Sequence, residues 1–203
     1  MTQFYEMFSP PPLMVRRYSN KDFDSLSTFA SESEYEDRNT LAYPDPSKSY
    51  SVLHEDIFKN LLAFVNKSIE EYVREIYQST QKLRVTQSWL NKMQPDREHI
   101  FHYHPNSVLS GVFYLKSDGT APLILVNERK DQYQLSLDGP GNKFTNSCYE
   151  YPSTERMLVL FPSYIRHCVA RNTSSQDRIS LSFNTFPIGD LGKKNSFTYA
   201  HVG

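Results

Sequence analysis

Two histidines one residue apart, His102 and His104, open the stretch HYHPNSVLSGVFYL. On an extended strand, residues i and i+2 project from the same face, so both imidazoles can aim at one point. A third histidine, His167, lies beyond the apolar run MLVLF, and eleven residues after it Arg178 begins the stretch RISLSFN. Imidazole is a ligand for iron, zinc, copper and nickel, and three of them leave coordination positions free for small molecules. The pattern therefore points to a mononuclear metal site at the mouth of a β-barrel.

The polar residues of two strands supply the rest of a pocket. Arg178, Ser180, Ser182 and Asn184 share one face of a strand, and Ile179, Leu181 and Phe183 share the other. If the apolar face packs beneath a helix, the polar face looks into the barrel. A guanidinium there needs an anion, because a buried unpaired charge is very costly. That anion is either an Asp or Glu of the chain or a bound carboxylate, to which the Ser180 hydroxyl could add a hydrogen bond. Ser110, Val112 and Tyr114 likewise share a face, so Ser110 and Tyr114 could donate into the same space. His99 stands three residues before His102, which on a regular strand puts it on the opposite face. His54 reads as a surface residue near a helix start, and His201 carries no argument.

These side chains require a β scaffold with helices outside it. Residues His54 to Thr80 carry apolar side chains at spacings of three and four with no Gly or Pro, the signature of one long amphipathic helix. Lys21 to Ser31 reads as a short helix capped at Ser19-Asn20. The Pro-Pro-Pro run within Met1 to Pro12 favours extended chain. Glu32 to Tyr50 is polar, carries Pro44 and Pro46, and reads as a long surface loop. From Leu83 onward the apolar runs shorten and turn residues multiply. Candidate strands are Val85 to Leu90, His99 to His104, Leu109 to Leu115, Leu123 to Val126, Tyr133 to Leu137, Phe144 to Tyr149, Met157 to Phe161, His167 to Ala170 and Arg178 to Phe186. Short strands at this spacing predict an all-β barrel or sandwich. A chain of 203 residues suits one domain, with residues 1–82 as a helical and loop part and 83–203 as the β core.

Composition narrows the partners. With 22 Lys plus Arg against 23 Asp plus Glu and no long basic run, nothing marks a nucleic-acid groove. The 14 Tyr and 13 Phe suit strands and partly buried pockets. No apolar stretch is long enough for a membrane helix, the N-terminus lacks signal-peptide features, and Cys148 and Cys168 are too few for a disulfide framework. A cytoplasmic setting is the expectation.

Four segments together carry a family resemblance: SWLNK (Ser88 to Lys92), HYHPNSVLSGVFYL, LVLFPSYIRH (Leu158 to His167) and RISLSFN. In that order they resemble the Fe(II)- and 2-oxoglutarate-dependent oxygenases, over about half the chain. The resemblance implies a mainly β, double-stranded β-helix (jelly-roll) fold with N-terminal helices packed on its outer face. It implies His102 as the first metal ligand and His167 as the distal one. Arg178 would hold the far carboxylate of 2-oxoglutarate, Ser180 would complete an Arg-x-Ser pair, and Tyr114 and Ser110 match assisting positions. His104 departs from the pattern, because most of the family carries Asp or Glu there; Asn106 is an alternative at that position or as a donor behind it. The implied activity is that of a dioxygenase using Fe(II), 2-oxoglutarate and O2, releasing succinate and carbon dioxide while hydroxylating an unidentified peptide, nucleoside or small metabolite. The loops Glu32 to Tyr50 and Lys130 to Asn142 would select that substrate. The alternatives are a cupin-type metal enzyme, which would usually add a Glu that is missing here, or a non-catalytic jelly-roll that binds a ligand or partner.

Overall fold

In a computed structural model the described residues are 3, 12–127 and 146–203. The strand candidate Tyr133 to Leu137, the loop Lys130 to Asn142 and most of Met1 to Pro12 lie outside them.

Two antiparallel sheets face each other. The larger contains β1 (Met14–Arg17), β2 (Asp45–Pro46), β3 (Lys82–Met93), β5 (Leu109–Lys116), β8 (Met157–Pro162) and β10 (Arg178–Leu191), in the order β1-β8-β5-β10-β3-β2, with β11 (Ala200–Val202) pairing beside β10. The smaller is built from β4 (His99–His102), β6 (Leu123–Val126), β7 (Cys148–Tyr151) and β9 (His167–Val169), ordered β4-β9-β6-β7. This is the jelly-roll arrangement anticipated from the sequence, with α1 (Phe23–Glu32) and α2 (Lys59–Ile76) on the outer face of the larger sheet.

The alternation of β10 positions the site. Ile179, Leu181 and Phe183 are buried in one core with Leu61, Val65, Ile69 and Tyr72 of α2, positions that recur every three or four residues along the helix. The other face of β10 therefore looks between the sheets. Register extends that face across three strands: Ser180, Ser182 and Asn184 stand opposite Tyr114, Val112 and Ser110 of β5, and Arg178, Ser180 and Ser182 opposite Met93, Asn91 and Trp89 of β3. A side chain at Gly111, beside Phe183, would put its Cβ 2.2 Å from the Phe183 ring and 2.8 Å from Leu160, so β5 has room for that ring only because residue 111 lacks one.

Several local expectations change. The long helix begins at Lys59, because Val52–His54 and Asp56–Phe58 form two separate 3-10 turns before it. The residue before α1 is Asp22, without a side-chain cap; its carboxylate accepts from Tyr18 Oη at 2.8 Å and from Asn60 at 2.9 Å instead. The segment 33–50 is not simply a surface loop. Pro44, Asp45, Pro46 and Ser47 are buried, β2 pairs with β3, and Asp45 forms a buried ion pair with Arg97. Leu41 and Ala42 carbonyls accept from Glu98 N and Ile100 N at 2.8 and 3.3 Å, which lays this segment along β4.

Candidate metal and carboxylate site

One ring nitrogen each from His102, His104 and His167 lies within 4.8 Å of the other two, a group that could hold a metal ion. His102 stands opposite His167 across the β4–β9 pair, and His104 follows just beyond β4, held by its backbone N–H to the Ser163 carbonyl at 3.0 Å. Each ring is fixed through its other nitrogen. His102 Nδ1 meets the Ile100 carbonyl at 2.8 Å, His167 Nδ1 the Ile165 carbonyl at 2.8 Å, and His104 Nδ1 the Asn184 Oδ1 at 2.5 Å. Oxygen acceptors there require the proton on Nδ1, so each neutral ring keeps its Nε2 lone pair for a ligand role. Burial pushes all three histidines below their usual pKa, His167 to about 3 with further lowering by the neighbouring imidazoles. The rings are thus neutral and able to bind metal near pH 7. Asn184 is itself braced: Ser110 donates to its Oδ1 at 2.9 Å, and Ser163 stands 2.8 Å from Ser110.

Arg178 occupies the same cavity, 5 % exposed. Its Nη1 donates to Ser180 Oγ at 3.2 Å, and its guanidinium lies 5.1 Å from the centre of the Tyr114 ring. No carboxylate among the described residues pairs with it; Asp177 next to it in sequence turns to Lys92 at 3.4 Å. Arg178 Nε and Tyr114 Oη are the two buried side-chain polar atoms that lack a hydrogen-bond partner among the described residues. Burial pushes the Tyr114 phenol up to about 12 despite the opposing Arg178 charge, so it stays protonated as a donor. A buried cation and a buried hydroxyl in one cavity, each with an unpaired polar atom among the described residues, are a costly arrangement that an oxyanion would relieve.

The sequence-predicted residues fare differently. His102, His104, His167, Arg178, Ser180, Tyr114 and Ser110 all line one cavity. Ser110 spends its hydroxyl on Asn184 and Ser163 rather than on the open space. Asn106 is not brought in: it is exposed at a turn with φ 57°, a left-handed conformation that Asn tolerates. His99 reverses its expected orientation. His99 pairs with Val169 and His102 with His167, three residues on β4 against two on β9, so a bulge turns His99 toward the cavity. Trp89, Asn91 and Asn184 also belong to the site. Trp89 Nε1 donates to Asn91 Oδ1 at 3.1 Å, and Asn91 donates to Ser182 Oγ at 2.9 Å. The alternating Trp-x-Asn of β3 was the available signal, but only the register with β10 shows which way it faces.

Residues 87–184 match the family described as "Putative 2OG-Fe(II) oxygenase", a span that contains every site residue named above. Over those residues the chain matches the 2OG-Fe(II) oxygenases. It is accordingly an enzyme of Fe(II)- and 2-oxoglutarate-dependent oxidation. Solved structures agree in fold. HygX from Streptomyces hygroscopicus, with nickel, 2-oxoglutarate and hygromycin B bound, superposes with a TM-score of 0.61 at 12 % identity, covering 87 % of this chain and 83 % of that one. A Pseudomonas putida prolyl-4-hydroxylase gives 0.62 at 12 % identity, over 88 % and 94 %. The epimerase SnoN from nogalamycin biosynthesis gives 0.65 at 10 % identity, over 92 % and 83 %. No curated protein matches this oxygenase by sequence. Among the described residues no helix is long and apolar enough to cross a membrane.

Proposed function

We propose that His102, His104 and His167 hold the iron of this oxygenase, that Arg178 with Ser180 and Tyr114 holds the far carboxylate of 2-oxoglutarate, and that the product is a hydroxylated peptide, nucleoside or small metabolite. The observation that carries this reading is the buried Arg178 guanidinium, without an acidic partner among the described residues, sharing a cavity with three imidazoles whose Nδ1 protons are already committed. The donor set fits the metal: ring nitrogens of His102 at the end of β4, His104 just beyond it and His167 at the start of β9 come together, and three such ligands would leave positions on iron for exchangeable ones. Iron bound there with 2-oxoglutarate and dioxygen supplies the oxidative decarboxylation to succinate and carbon dioxide and the oxidation of a substrate C–H bond.

The chain contributes placement. Arg178 presents its guanidinium from a fixed rotamer, tied to Ser180 and lying against Tyr114, so a carboxylate is received at a set angle. The phenol of Tyr114 donates a second hydrogen bond. Val112, Leu123 and Phe161 wall the cavity and exclude water from it. His104 in place of a carboxylate leaves the metal ligand set uncharged, so the complex carries one more positive charge than a set with one carboxylate.

Anaerobic addition of Fe(II) and 2-oxoglutarate tests this. The expected result is a visible charge-transfer band that is absent from Arg178→Ala and from His102→Ala. A band that persists in Arg178→Ala sinks the co-substrate assignment. Succinate release measured against panels of peptides, nucleosides and metabolites then identifies the prime substrate.

A further inference from the structure

Four imidazoles, not three, face the cavity. The bulge in β4 swings His99 inward, where its ring stacks on His102 with centroids 4.1 Å apart and planes inclined by 26°. Tyr43, from the segment that crosses β4, contacts the same ring at 5.8 Å. The ring is thus held on two sides, yet its nitrogens take no hydrogen bond from any described residue. They are not sealed off either, because His99 lines the cavity rather than joining the fully buried unpartnered atoms. His99 lies outside the group of three whose nitrogens converge on one point, so it is not a fourth member of that cluster.

Register places it along the wall between the metal ligands and the guanidinium. His99 is opposite Val169, and Val169 is opposite Leu123, one inward step from the layer that holds His102 and His167. Arg178 is likewise displaced from Asn184, the residue that holds His104, by successive inward positions of β10. Three polar side chains from three strands therefore line one cavity without a full set of partners among the described residues: Arg178, whose Nε is unpaired, Tyr114, whose Oη is unpaired, and His99. Placing three such groups around an apolar-walled cavity is costly unless a ligand with several acceptor oxygens satisfies them together.

We propose that His99 is a further co-substrate-binding residue, whose imidazole N–H donates to a carboxylate of the dicarboxylic acid held by Arg178. It rests on the oxygenase reading of this cavity. An imidazole carries at least one N–H whether neutral or protonated, so the contact does not depend on its charge. The stacking on His102 and the contact with Tyr43 fix the ring before the ligand arrives, which limits the ordering cost of binding.

Calorimetric titration of 2-oxoglutarate into the Ni(II)-loaded protein tests the contact, with Ni(II) affinity measured separately on the apo-protein. His99→Phe keeps an aromatic ring against His102 but has no N–H, whereas His99→Gln restores an N–H at similar reach. The expected result is 2-oxoglutarate binding weakened about ten-fold or more in His99→Phe and at least partly recovered in His99→Gln, with Ni(II) affinity within about three-fold of wild type in both. Unchanged 2-oxoglutarate affinity in His99→Phe overturns the proposal. So does equal weakening in both variants, or a matching loss of Ni(II), because either assigns His99 to ring packing alone. Arg178→Met separates the two readings. If wild type binds and Arg178→Met does not, the cavity reading stands whatever His99 shows; if wild type fails to bind, or Arg178→Met binds as wild type does, both readings fall.

Discussion

Replacing Arg178 by Met should make the ligand-free protein more stable while abolishing its use of 2-oxoglutarate. The guanidinium is buried, and among the described residues its one side-chain hydrogen bond is to the Ser180 hydroxyl at 3.2 Å. Removing an ion of this kind from water costs several kcal/mol, against roughly 1.5–3 kcal/mol from a charged hydrogen bond and at most about 2 kcal/mol from the face of Tyr114. A net strain of about 1–3 kcal/mol is left in the empty site, which a methionine of similar length relieves. For a chain of this size each kcal/mol moves Tm by about 2–4 °C, so the variant should melt roughly 2–12 °C higher. The bound state reverses the order. A two-point charge-assisted contact contributes about 2–4 kcal/mol, or about 30- to 1000-fold in affinity, so excess 2-oxoglutarate should raise the melting temperature of Ni(II)-loaded wild type and leave the variant unmoved. Differential scanning fluorimetry with and without the diacid reads both halves. If ligand-free Arg178→Met melts below wild type, the guanidinium is satisfied by the protein itself and the account of an open anion receptor is wrong.

Three other outcomes follow from the same geometry. Asn184→Leu removes the acceptor at His104 Nδ1 and should weaken Co(II) binding by about 10- to 100-fold in competition titrations, whereas Asn184→Asp should retain it. Gly111→Ala drives a methyl group into the Phe183 ring and should lower stability by about 1–3 kcal/mol in urea, with partial recovery on adding Phe183→Leu. Asp45→Asn leaves the buried Arg97 with the exposed Asp37 at 3.7 Å as its ion-pair partner and should cost about 3 kcal/mol by urea unfolding, while the double change Asp45→Leu with Arg97→Met should restore most of it.

What the sequence made legible is what depends on period and chemistry. The polar face of Arg178, Ser180, Ser182 and Asn184 could be read from alternation alone, and the amphipathic helix supplied the reason for it to face inward. Leu123–Val126 needed only its short apolar run between turns. His99 was not legible, because one extra residue on β4 breaks the two-residue period, and no residue type announces a bulge there. Asn106 misled for the opposite reason: a polar side chain two residues beyond His104 answers to backbone conformation, not to the cavity. The burial of Pro44 to Ser47 goes with pairing to β3 and with the ion pair to Arg97, both far along the chain, and a segment rich in Pro and Ser gives no local sign of such partners.

The segment that carries Leu41 and Ala42 does more than reach the cavity. β4 is a terminal strand of the smaller sheet, and its outward amides at Glu98 and Ile100 are those an invading strand from another molecule would use. With the carbonyls of Leu41 and Ala42 already on them, that border is closed to strand addition. The buried Arg97–Asp45 pair, which ties this segment to the residue just before β4's first seam contact, thereby guards against self-association: loosening it would leave Ile100 and Phe101 on an open margin where copies of the chain could template one another.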